Sequence, residues 1–201
     1  KQGEKAAREL ALTDDPFDEA MNASGTPAVV AARTRHLAEL YRHAASLRTG
    51  RIAGAGGATG RDDMVCMHEV VQFMREVGAM RDNTGGKMET CKHGKGGKML
   101  TPYIIKRIFA VTNVKDSSAE VAAWRESITK LDDEKFVEVV KDSTYEVGLR
   151  EFCEILARCA AYVVLGKMDV ADRLCIFLDE HLSGLQLNSA GAGVKRIKSR
   201  K

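Results

Sequence analysis

Along this chain, stretches in which apolar residues return every three or four positions alternate with stretches that have no period. From Pro27 to about Arg48, the residues Val30, Leu37, Leu40, Tyr41 and Leu47 recur at near-helical spacing, and Gly50 supplies the stop. A second stripe follows Asp62-Asp63, carries Met64, Met67, Val71, Met74 and Val77, and fades at Gly78. Thr101-Pro102 restarts a helix through Tyr103, Ile104, Ile105, Ile108 and Phe109. Ser117 and Glu120 have the spacing of a capping box ahead of Val121, Trp124 and Ile128. Asp132 or Asp133 caps a short helix with Phe136, Val139 and Val140. Ser143 and Glu146 form a further box, which opens the longest apolar helix and runs to about Leu165, with Gly166 as its stop. Asp169 caps the last helix, whose apolar face holds Leu174, Phe177, Leu178 and Leu182.

The segments between these stripes are polar and glycine-rich, at about residues 50–60 and 81–99, and read as mobile loops. No strand alternation, βαβ unit or internal repeat is visible. The pattern therefore predicts an all-α fold with a single helical core over 27–187. It is flanked by a flexible N-terminal arm (1–26) and a basic C-terminal tail (188–201). Within and at the end of the arm, Asp15-Pro16 and Thr26-Pro27 each put a capping side chain before a proline at the first helical position.

Composition narrows the function less than the pattern narrows the fold. Hydrophobic residues make up 44%, enough for a core, and the net charge of +3 permits a nucleic-acid partner without requiring one. Aromatic content of 5% argues against a broad platform for stacking bases. No apolar run reaches the roughly 18 residues of a membrane-spanning helix, and residues 1–5 lack the apolar core of a signal peptide. Five cysteines is an odd number. Cys153, Cys159 and Cys175 fall in apolar helical stretches and read as small hydrophobes in a reducing compartment, with no disulfide framework.

Catalytic and metal chemistry find little support. Cys66-Met67-His68 and Cys91-Lys92-His93 supply zinc-type donors, but an i,i+2 pair on a helix points to different faces, so no metal is assigned. The glycines of 54–60 follow a helix and not a strand, which rules out a dinucleotide loop. His36 and His43 read as surface or groove residues, and the acidic pairs Asp14-Asp15, Asp62-Asp63 and Asp132-Asp133 are explained by helix capping. The expectation is a protein that is not an enzyme and carries no cofactor. The basic residues are more informative. Lys95 and Lys98 sit among glycines, Lys106 and Arg107 follow at the next helix start, and Lys195 and Arg196 begin a crowded basic tail. Such clusters bind phosphates through counterion release.

The run Leu149-Arg150-Glu151-Phe152-Cys153, with Ala157 beyond it, resembles the Leu-Arg-Gln-Phe-Cys signature of coat proteins of flexible filamentous plant viruses. Glu151 stands for the family's Gln, and Ala161-Tyr162 stands near its Trp-Asn. The resemblance implies an all-helical core whose terminal arms link copies of the subunit in a filament, within virions and the host cytoplasm. The resemblance further implies that single-stranded genomic RNA lies in a basic groove. It also implies a core ion pair between Arg150 and Asp179, the latter in Ile176-Phe177-Leu178-Asp179, with Arg150 beside the RNA. A partly buried charge without a partner is costly, which favours that pairing on physical grounds as well. The alternative is a non-viral helical adaptor or regulatory domain that binds a protein partner.

Overall fold

The computed structural model describes residues 2–12, 15–47, 64–80, 100–112, 146–182, 185–186 and 195–196. Their element order is α1 (Gln2–Ala11), α2 (Asp15–Ala23), α3 (Thr26–Ala32), α4 (Thr34–Ser46), β1 (Val65–Cys66), α5 (Met67–Glu76), α6 (Pro102–Thr112), β2 (Glu146–Val147), α7 (Leu149–Val163), α8 (Val170–Phe177), a π-helical turn (Leu178–Leu182), β3 (Leu185–Gln186) and β4 (Lys195–Arg196). The fold is all-α; among the described residues the strands form two short antiparallel ladders, β1 with β2 and β3 with β4, beside an isolated parallel bridge between Met80 and Leu100. The helices expected over 117–142 and the loops expected at 50–60 and 81–99 lie outside the described residues.

The longest apolar helix becomes the centre of the molecule. A helix that is apolar on nearly every face is stable in water only if neighbours surround it. Accordingly α8, α1, α6 and α4 all pack on α7, and Phe152 through Ala161 are buried without interruption. Phe152 anchors an aromatic group. Tyr41 from α4 and Phe73 from α5 each meet it edge-on at 5.5 Å. The Tyr41 hydroxyl donates to the Val147 carbonyl at 3.1 Å and ties α4 to β2.

The stop at Gly166 is real and has a cause. Its φ is +122°, and a Cβ there would meet the Met168 side chain at 2.8 Å. Arg173 from α8 then satisfies carbonyls at the end of α7 and in the connection that follows it. Its Nε donates to Met168 O at 3.1 Å, its Nη2 to Gly166 O at 2.6 Å, and its Nη1 to Val164 O. Asp169 caps α8 as expected, accepting from the Asp172 N–H at 2.9 Å.

Three expectations change. First, the N-terminal segment is not an arm apart from the core: α1 packs on α7, and Ala11 and Phe17 are fully buried. A polar latch holds it there. Arg158 Nη1 donates to Ala11 O at 3.2 Å, and its guanidinium lies 4.3 Å from the Phe17 ring centroid. Arg8 Nε donates to Tyr162 O at 3.3 Å. Second, the helix expected from Pro27 to Arg48 is two helices, broken at Arg33. Third, Glu146 pairs in β2 with Cys66 instead of closing a capping box, and α7 starts later. There the Gly148 N–H donates to Glu151 Oε2 at 2.8 Å, and the Cys66 N–H donates to Glu69 at the start of α5 in the same way.

Burial also fixes how stability responds to alkali. Desolvation pushes the Cys153 thiol from its ordinary 9.0 up to about 11, and the Cys159 thiol higher still. As pH rises above 9.0, the unfolded chain loses these protons first, while the folded chain keeps them. Stability is therefore unaffected by these groups below that pH and falls above it, by about 2 kcal/mol per thiol near pH 10.5. Urea midpoints measured on both sides of this window should show a shallower fall in Cys153→Ala than in the parent. Identical slopes would remove Cys153 from the account.

Candidate functional site

The first turn of α7 forms one wall of a groove. Because Gly148 is tied to Glu151, the helix begins at Leu149, and Arg150 projects from it exposed to solvent. Cys153 and Glu154 lie one turn further along and share a face with Arg150. Across from them stand α2, with Asp18, Met21 and Asn22, and the α3–α4 junction, with Pro27, Val30, Ala31, Thr34 and Leu37. The space between is about 590 Å³. Its lining is mainly apolar.

Charge in this groove is mixed and not uniformly basic. Glu154 faces Arg158, whose Nε donates to Oε1 at 2.9 Å; Arg158 is fully buried. Asp18 is engaged as well. Arg150 makes no hydrogen bond or ion pair with any described residue.

The pairing expected between Arg150 and Asp179 is corrected by this arrangement. Asp179 lies in the π-helical turn at the surface, with its side chain 57% exposed, and it takes Arg33 at 2.5 Å. The break between α3 and α4 carries Arg33 to that carboxylate, and the bond raises the pKa of its guanidinium. Among the described residues, a buried ion pair of the core is instead formed by Glu154 with Arg158, within α7 itself. The signal for it was present in the sequence: a Glu and an Arg four residues apart in an otherwise apolar helix. Arg173 was missed too, because its acceptors are backbone carbonyls that no side-chain pattern announces.

The other basic residues singled out from the sequence are not brought together. Lys106 is buried at 7% exposure and engaged, so it does not offer its ammonium to a phosphate at the surface. Its neighbours Ile105, Ile108 and Phe109 are core residues, and its stem is covered with them. Arg107 is half-buried, with its guanidinium 5.7 Å from the Tyr103 ring centroid. Lys195 and Arg196 form β4, paired with Gln186 and Leu185; only their backbone is described. Lys95 and Lys98 lie outside the described residues.

Of the histidines, His43 is nearly covered and bonds Glu76 at 3.2 Å, linking α4 to α5. Of the two Cys-x-His units, Cys66 belongs to β1 and His68 is exposed on α5, while Cys91 and His93 lie outside the described residues. Among the described residues no group of three or more potential ligands could hold a metal ion. No helix there is long and apolar enough to cross a membrane. Comparison with known proteins finds no match, whether to a family model, to a curated protein or to a solved structure.

Proposed function

We propose that this chain is a structural, RNA-binding coat or nucleocapsid subunit that polymerises into a helical filament around single-stranded genomic RNA, in virions and the host cytoplasm. The observation that carries the reading is the placement of the 149–157 signature. Phe152, Cys153 and Ala157 are buried in the central helix of an all-α fold, while Arg150 stays exposed at its start. That division suits a motif that both builds the core and presents a cation. The basic residues Lys95, Lys98, Lys195 and Arg196 add charge in glycine-rich or terminal segments. The phosphate contacts are assigned to those four residues, to Arg107 and to the exposed Arg150. Self-association is assigned to the C-terminal segment, because the N-terminal helices pack on the chain's own core.

Electron microscopy of the purified protein, with absorbance at 260 and 280 nm read on the same sample, tests the assembly. Filaments or rings with excess absorbance at 260 nm are expected. A clean monomer that stays free of nucleic acid after RNA is added would overturn the reading. It would favour the adaptor alternative, for which the apolar groove is the supporting observation. For the phosphate contacts, the double variant Lys195→Gln/Arg196→Gln should bind a labelled oligouridine more weakly. The slope of log affinity against log salt should flatten by about 1.4, two charges at about 0.7 each. An unchanged slope would remove both residues from the interface.

A further inference from the structure

We infer that the groove between α2, the α3–α4 junction and α7 binds a small amphipathic anion, with an apolar tail along the groove and a carboxylate head on Arg150. Its volume, about 590 Å³, falls within the range of small-molecule sites, about 300–1,000 Å³. Met21, Val30, Leu37 and Cys153 offer the tail an apolar lining.

Charge complementarity selects the head. Arg150 and Glu154 have the i,i+4 spacing of a helical salt bridge, yet Glu154 is taken by Arg158 at 2.9 Å. Asp18, the other acid of the groove, is likewise engaged. That leaves Arg150 as a guanidinium with no acceptor among the described residues. Its planar fork suits a carboxylate held by two parallel hydrogen bonds. A cationic head on the same tail would be repelled by the Arg150 guanidinium and would have to compete with Arg158 for Glu154. The inference does not depend on the RNA reading, because it needs neither the basic tail nor assembly.

Dodecanoate and dodecyltrimethylammonium share a tail and differ in the sign of the head. Calorimetric titration of the full chain with each, below micelle formation, tests the charge preference. Alkylation of Cys153, followed by peptide mass spectrometry, reports the location. Dodecanoate is expected to bind, to slow alkylation of Cys153, and to bind at least tenfold more tightly than the ammonium probe. Arg150→Gln should weaken dodecanoate about tenfold. Ala31→Trp, at an exposed position of the lining, should block both probes by filling the groove, with an unchanged far-ultraviolet circular dichroism spectrum as the check on folding. Equal binding of the two probes, or dodecanoate binding that survives both substitutions, would overturn the inference. So would no binding of either probe, which would leave the groove to a polypeptide segment.

Discussion

Replacing Arg158 with alanine is expected to lower the unfolding free energy by about 3–5 kcal/mol, the range seen when one member of a buried ion pair is removed. Arg158 is fully buried, and its partner Glu154 is buried beside it. The substitution takes the Arg158 cation away from a carboxylate that stays inside the fold. It also removes the donor to Ala11 O and the cation over Phe17, so the two N-terminal helices lose their latch together with the core. Total stabilities of domains lie at about 5–15 kcal/mol, so such a loss consumes a large share. Urea unfolding followed by far-ultraviolet circular dichroism measures it. The double variant Glu154→Leu/Arg158→Met should recover most of the loss, because an apolar pair of similar volume avoids the desolvation of both charges. A loss under about 1 kcal/mol in the single variant would contradict the buried placement. Amide exchange adds a local reading: protection in α1 should fall more than protection in α5.

Phe152→Ala is expected to cost a similar amount, about 3–5 kcal/mol, by a different mechanism. The ring is fully buried and receives the edges of Tyr41 and Phe73, each at 5.5 Å. Truncation opens a cavity at the point where α4, α5 and α7 meet. The surrounding helices cannot close it without moving Tyr41, whose hydroxyl is held on Val147 O. Near-ultraviolet circular dichroism should report loosened Tyr and Phe packing at a denaturant concentration where helix content is intact. Phe152→Leu, which refills most of the volume, should cost about 1–2 kcal/mol. Equal losses for the two variants would show that the cavity is not the cause.

Both substitutions fall in the helix that opens with the signature, and its residues were legible to very different degrees. That α7 is a long helix, apolar on most faces, follows from its spacing alone. So do the stripes of α4, α5 and α6, the Asp169 cap and the stop at Gly166. The break at Arg33 was not legible, because the apolar stripe of 30–47 continues through it with the period of one helix. Nor was the β1–β2 ladder. Val65 meets Val147 across a long separation in sequence, and a two-residue pairing has no period to detect. The glycine-flanked start of α7 was displaced for the same reason: Ser143 and Glu146 fit a capping box locally, and β1 claimed Glu146.

The candidate site divides in the same way. The sequence by itself determined which segments are helical, because helix hydrogen bonds and caps join residues within a turn or two of one another. It also determined that the chain carries cations in an otherwise apolar helix. Only the tertiary structure decided which of those cations became core and which became surface. Arg150 and Arg158 stand on the same helix, yet α1 and Phe17 cover Arg158, and Arg150 opens onto a groove. Asp179, expected in the core, was instead claimed at the surface by Arg33. A charge's partner depends on which faces meet, and those faces are set by the burial of apolar surface across the whole chain, not by local spacing.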